Sequence, residues 1–218
     1  MRPEPGASAT AQGAHRQGLE TVVMPLFRVE PVDWRSPDPA EFDALLLTSA
    51  NAIRYGGPGL EGLKPLPAHC VGEATASAAR VAGFDVELVG TGGVDELLER
   101  LPPELKLLHL SSTQRRTPDC PAQPIVALPV YCPVELPRPE RFGEVEGAVV
   151  AIHSPRAAAA LCRHLGEAGV RRSSIAIAAI SSQAAEAAGE GWRAVAIAEQ
   201  PSDSSLLAIA AALCNNPS

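Results

Sequence analysis

The chain has 218 residues, 46% of them hydrophobic and 20% charged, a balance that excludes disorder of the whole chain. That length allows one large domain or two of about 100 residues. Eighteen Lys and Arg against 25 Asp and Glu give a net charge of −7, which repels a phosphate backbone at long range and argues against a nucleic-acid partner, while an anionic small molecule remains open to short-range donors.

In chain order, the N-terminal MRPEPGASATAQ carries no apolar stretch, and Phe27-Arg28-Val29-Glu30-Pro31-Val32 is a first extended segment. Residues 44 to 54, A-L-L-L-T-S-A-N-A-I-R, form an apolar strand run that ends in Ser49 and gives way to an Ala-rich helical start. V-G-E-A-T-A-S-A-A (71 to 79) opens a second helix, with Gly83-Phe84 behind it, and Val86 through D-E-L-L (95 to 98) is a further strand and helix. Between them, Val89-Gly90-Thr91-Gly92-Gly93 lacks the G-x-G-x-x-G order of a nucleotide loop and reads as a turn. Ser111-Ser112-Thr113 ends another strand, and Pro129-Val130-Tyr131-Cys132-Pro133-Val134 is a second extended segment similar to the first.

The series then begins again. A-V-V-A-I-H-S-P-R-A-A (148 to 158) matches 44 to 54, with Ser154 standing 105 residues after Ser49. I-S-S-Q-A-A-E-A-A (180 to 188) and Val195 through S-S-L-L (204 to 207) match the second and third blocks at an offset of 109, and Gly191-Trp192 between them matches Gly83-Phe84. Three blocks in one order at nearly one offset mark an internal duplication. Strand runs alternating with helices predict a parallel sheet covered on both faces. Each half is therefore expected to be a small doubly wound, flavodoxin-like α/β domain. The two extended segments, 28 to 32 and 129 to 134, are read as a two-stranded connector. They join an inserted domain, 33 to 128, to a discontinuous domain made of 1 to 27 and 135 to 218. Crossing twice between lobes predicts a bilobal molecule with a cleft and a hinge.

In open parallel sheets ligands bind beyond the carboxyl ends of the strands. That rule selects Thr48-Ser49-Ala50-Asn51, Gly72-Glu73-Ala74-Thr75, Ser111-Ser112-Thr113, His153-Ser154-Pro155-Arg156 and Ser181-Ser182. Each hydroxyl alone is as well explained by helix capping. Together with Arg54, Arg115, Arg116 and Arg156 they offer hydroxyls, free backbone N–H groups and guanidiniums, a lining for anions. A G-x-S-x-G elbow, an H-E-x-x-H pair and a phosphate loop are all absent, and the five histidines are scattered, so an enzyme of this sequence uses little acid and base machinery. Tyr131, one of two tyrosines, lies in the connector, where its phenol could protonate a leaving group or its ring could simply pack. Cys70, Cys120, Cys132, Cys162 and Cys214 are odd in number and hold no C-x-x-C pair, so they read as reduced thiols of a cytoplasmic protein. No window approaches the ~18 apolar residues of a membrane span. Monomer is the expected state, because no long apolar stripe remains once both cores are assigned.

These residues resemble the uroporphyrinogen-III synthase family. The likeness runs through D-A-L-L-L-T-S-A-N-A-I-R (43 to 54), V-G-E-A-T-A (71 to 76), Val130-Tyr131, V-A-I-H-S-P-R-A-A (150 to 158) and G-W through P-S-D-S-S-L-L (191 to 207). It implies two α/β lobes joined by a two-stranded connector. It also implies a cofactor-free, metal-free cyclisation of hydroxymethylbilane to uroporphyrinogen III, with inversion of ring D and loss of water. Tyr131 matches the family's proposed general acid, and Ser49, Thr75 and Ser154 match positions that line its cleft. Asn51, Arg54, Ser111, Arg115, Arg156, Ser181 and Ser182 complete the expected substrate lining, which suits a substrate of eight carboxylates. Where many relatives carry Gly-x-x-Thr, this chain has Ser181-Ser182-Gln183-Ala184, so one of the serines replaces the threonine or the contact is dispensable. Relatives also have a strand immediately before R-P-E-P-G-A, which here starts at Arg2. In a 2-1-3-4-5 sheet that strand is internal, so the expectation is a misassigned start or a less stable first lobe. A cytosolic anion-binding protein of the same shape and a catalytically inactive synthase-like scaffold are the competing readings.

Overall fold

The computed structural model describes residues 1–91, 93–114, 118 and 121–215. In chain order the elements are α1 (Gly6–Arg16), β1 (Phe27–Pro31), β2 (Ala44–Leu47), α2 (Ala50–Tyr55), β3 (Ala68–Cys70), α3 (Glu73–Val81), β4 (Val86–Val89), α4 (Val94–Glu99), β5 (Leu107–Ser112), β6 (Ile125–Glu135), β7 (Val149–Ile152), α5 (Pro155–Ala168), β8 (Ala176–Ala179), α6 (Ser182–Ala188), β9 (Ala194–Ile197) and α7 (Asp203–Asn215). Short 3-10 turns stand between several of them. The chain divides into a first unit, Met1–Arg28 with Glu135–Ser218, and a second, Val29–Val134. It leaves the first unit within β1 and returns to it at the end of β6.

The second unit is built on a sheet of order β1-β6-β5-β2-β3-β4. The pairs β6/β5, β5/β2, β2/β3 and β3/β4 are all parallel. β1 runs against β6. Leu136 N–H donates to the Leu26 carbonyl at 2.9 Å and Val32 N–H to the Val130 carbonyl at 3.2 Å, so the partners step down one strand as they step up the other. Counted along the chain from β2, the five parallel strands stand in the order 3-2-1-4-5, not the 2-1-3-4-5 expected of a flavodoxin-like sheet. Burial explains the difference. A-H-C of β3 is buried at every residue and needs neighbours on both sides, whereas V-E-L-V of β4, with Glu87 exposed, suits an edge.

Side-chain alternation splits the core of this unit between the two faces of the sheet. Leu45, Leu47, Ala68, Cys70, Leu108 and Leu110 pack with Ala52 of α2 and with Ala76 and Ala79 of α3. On the other face Ala44, Leu46 and Leu107 meet Leu97 and Leu98 of α4.

In the first unit, β7, β8 and β9 form a parallel sheet in chain order. Ile152, Ile177 and Ala179 pack with Ala158, Leu161 and Leu165 of α5 and with Ala184 and Ala188 of α6. Ala178 on the opposite face meets Leu206 and Ala210 of α7. β7 is an edge strand. Beside it lies a cavity of about 430 Å³, lined among others by Val22, Val23, Val149, Ala151 and Leu207. The Met1 amine donates to the Ala151 carbonyl at 3.1 Å, and burial pulls that amine down to about 6.

Candidate functional site

In the second unit the strand order reverses at β2, because β3 follows on one side of it and β5 returns on the other. A crevice forms at such a reversal, beyond the carboxyl ends of the two strands. Thr48 and Ser49 end the β2 segment there, and Ser111 and Ser112 end β5. Ser49 is the N-cap of α2, in extended backbone conformation, and its Oγ accepts the Asn51 N–H at 3.2 Å. Asn51 Oδ1 in turn accepts from Arg54 Nη1 at 3.4 Å, so Ser49, Asn51 and Arg54 form one corner. Thr75 is buried in the first turn of α3, its N–H bonded to the Gly72 carbonyl at 3.0 Å.

Ser111 is 1% exposed, and its Oγ is buried without a hydrogen-bond partner among the described residues. Ser112 Oγ accepts the Gln114 N–H at 3.2 Å. The register of β5 and β6 shifts between Ser111 and Ser112, a bulge that sets Ser112 opposite Tyr131. Tyr131 is 9% exposed, its ring in the larger core of this unit, and its carbonyl accepts the Thr113 N–H at 3.0 Å. Arg115 and Arg116 lie outside the described residues.

In the first unit, Ser154 caps α5 and accepts the Ala157 N–H at 3.2 Å, with Pro155 preset at the first helical position. Ser181 caps α6 and accepts the Ala184 N–H at 3.3 Å. Ser182 is the exposed first residue of that helix. β7 and β8 are parallel neighbours, so these two capped ends stand side by side. Arg156 lies over the Phe27 ring, 5.9 Å from its centroid.

One polar knot in this unit went unread in the sequence. Asp203 accepts from Thr10 Oγ1 at 2.7 Å and from Arg2 Nη1 at 2.8 Å, and its carboxylate lies 3.3 Å from His153 Nε2. Chiefly the hydrogen bond with His153, and then the Thr10 hydrogen bond and the charge of Arg2, hold the Asp203 carboxyl down to about 2 against the opposing effect of burial. Burial pulls His153 below its ordinary value. The signal available was Asp203 itself, an acid at a helix start, but its partners lie up to 201 residues away.

The two units share one arrangement. Immediately before the capping serine stands a residue tied to a polar partner: Thr48 to His109 Nε2 at 2.9 Å, and His153 to Asp203. A serine Oγ that accepts a backbone N–H keeps its own proton to donate, so Ser49, Ser154 and Ser181 can each present an O–H outward. Such an edge binds carboxylates through hydroxyls and helix N-termini, and α5, with 14 residues, carries the longest of these dipoles among the described helices. No group of three or more metal-ligating side chains occurs among the described residues, and none of their helices is long and apolar enough to cross a membrane.

Among solved structures, the chain is similar to uroporphyrinogen-III synthetase from Helicobacter pylori 26695, at 17% identity and a TM-score of 0.63, with 89% of this chain and 95% of that one covered. It is also similar to a mutant uroporphyrinogen III synthase from the extremely thermophilic bacterium Thermus thermophilus, at 19% identity and a TM-score of 0.54, with 96% of each chain covered. At these identities the likeness is one of fold. No curated protein matches the sequence. The family model of uroporphyrinogen-III synthase, HemD, matches residues 8–119, slightly more than half of the chain. On that match, the chain belongs to the uroporphyrinogen-III synthase family.

Proposed function

We propose that this lyase of tetrapyrrole biosynthesis cyclises hydroxymethylbilane to uroporphyrinogen III, with the carboxyl-edge residues of both units assigned to the substrate. The family match over residues 8–119 carries the reading. The chemistry of the edges supports it, since Ser49, Asn51, Arg54, Thr75, Ser111, Ser154, Arg156, Ser181 and Ser182 supply donors suited to a substrate rich in carboxylates. Arg115 is assigned to the same lining from the sequence. Ser181, whose Oγ accepts the Ala184 N–H and so keeps its own proton to donate, is the better stand-in for the family's threonine.

In the reaction, Tyr131 gives its phenol proton to the departing hydroxyl of the ring A hydroxymethyl group, which leaves as water. The pyrrole nitrogen lone pair drives the departure and leaves an azafulvenium-like cation. The substituted α-carbon of ring D attacks this cation. The resulting spiro intermediate fragments and recloses with ring D inverted, and loss of a proton restores the aromatic pyrrole. Little acid or base chemistry is needed, so rate comes from holding ring D in place. Tyr131 directly follows the extra residue of the β6 bulge, Val130, and this supports its role, because a bulge re-aims the side chain beside it.

Two further elements belong to this reading. The units are two similar α/β halves of one duplication, supported by their equivalent serine caps at Ser49 and Ser154; the first unit, whose three strands run in chain order without a reversal, departs from the doubly wound expectation. The protein is read from its sequence as a cytoplasmic monomer without cofactor; for the reduced thiols of that reading, the support is Cys70, buried and pushed up to about 11 by that burial, far from a reactive thiolate.

The test supplies freshly generated hydroxymethylbilane and separates the oxidised product isomers. Isomer III in excess of the spontaneous isomer I is expected, and isomer I alone would leave a binding protein or an inactive scaffold. Tyr131→Phe is expected to slow isomer III formation by about 10²-fold, the scale of one general acid. An unchanged rate removes Tyr131 from the mechanism.

A further inference from the structure

The reversal point of the second unit holds a histidine that the mechanism does not use. His109 lies in the middle of β5 and is 2% exposed. In register it stands opposite Leu46 of β2, on the face of the sheet that packs on α4. Two residues further along each strand, on the same face, stand Thr48 and Ser111, level with each other because Leu47 pairs with Leu110. The imidazole therefore sits one step behind a pair of hydroxyls. It reaches diagonally across the strands to one of them, Nε2 lying 2.9 Å from Thr48 Oγ1. The other hydroxyl, Ser111 Oγ, is buried and unpartnered among the described residues.

An unpartnered buried hydroxyl costs free energy unless a ligand meets it. Thr48 is half-buried, with His109 on its inner side, so an Nε2–H donor behind its oxygen turns the hydroxyl proton outward. We infer that His109 is a positioning residue: its Nε2–H orients Thr48 so that the hydroxyls of Thr48 and Ser111 together receive one substrate carboxylate. This rests on the cyclisation proposed above, and it names one binding subsite within that site. No proton is transferred in it. His109 touches no reacting atom and acts only through Thr48.

The full-length chain decides the matter by two measurements. In steady-state assays with hydroxymethylbilane, Thr48→Val and His109→Leu are each expected to raise KM roughly 10-fold with kcat within about 2-fold, because the lost interaction is made equally in ground and transition states. The double variant is expected to be no worse than either single one. His109→Gln, which can still donate an N–H, and Thr48→Ser are expected to restore KM to within about 3-fold of wild type. Effects that multiply in the double variant, or a melting temperature that falls in His109→Leu while KM stays at the wild-type value, would overturn the inference.

The second measurement reads the ring nitrogens of His109 by long-range proton–nitrogen NMR. The Nε2–H tautomer is expected, with its nitrogen shift altered in Thr48→Val, and an Nδ1–H tautomer would overturn the proposed orientation. A wild-type chain giving isomer I alone sinks the proposed activity, and the tautomer still settles how Thr48 is held.

Discussion

Three side chains converge on the Asp203 carboxylate, and each belongs to a different part of the first unit: Arg2 before α1, Thr10 within it, and His153 after β7. With the folded carboxyl near 2 against an ordinary 3.8, the unfolded chain takes up the proton first as pH falls. The contribution is complete above 3.8 and is lost as pH drops from there toward 2. His153 acts at higher pH. Its folded pKa is lowered from 6.5, so the unfolded state binds protons first and stability declines as pH falls below 6.5. The side chain of Asp203 is 37% exposed, which leaves solvent to screen the charges, so Asp203→Asn is expected to cost about 1 kcal/mol at neutral pH. Thermal melts of both proteins across pH 2 to 8 check this. The difference in melting temperature should widen as pH falls below 6.5, because Asp203 supports the protonated His153, and shrink below pH 4 as Asp203 itself takes up a proton.

Among the helices, the serine caps were legible in the sequence, because a hydroxyl between an apolar run and an Ala-rich stretch has one common local use. Ser154→Ala is expected to cost about 1 kcal/mol, lowering the melting temperature by about 2–4 °C. It should also slow isomer III formation less than Tyr131→Phe does. A larger kinetic loss with an unchanged melt would show that Ser154 acts on substrate more than on α5. Strand order was not legible. Local pattern marks A-L-L-L and L-L-H-L as strands, but only tertiary packing decides that β5 returns to the outer side of β2. The same limit hid the Thr48–His109 pair, whose members are 61 residues apart, and the remote partners of Asp203. Tyr131 was found through its connector and its family match, while its neighbour across the bulge, Ser112, follows only from the register shift.

On the scale of the molecule, the second unit has apolar clusters on both faces of its sheet and draws every member of them from residues 29 to 134. A stretch that owns its core folds on its own. Expressed alone, residues 29 to 134 are expected to melt in one sigmoidal transition by circular dichroism at 222 nm, and a gradual, featureless melt would contradict this. The two units have the same order of strand, cap and helix, β2 to Ser49 to α2 and β7 to Ser154 to α5, which supports the proposed duplication.

On its outer side β7 carries the Met1 amine at the Ala151 carbonyl, beside the hollow that Val149 and Ala151 line. In a parallel ladder alternate residues face opposite neighbours. Ala148 and Ile152 carbonyls accept from β8, so Val149 and Ala151 point the other way, next to a hollow large enough for apolar side chains. An extended chain laid along β7 has to displace that amine, so the N-terminus itself guards the strand edge. Val149 packs against Ala178 and Leu206, so a lysine there would set a charge into an apolar cluster, and the edge keeps its protection from the amine rather than from a charged side chain.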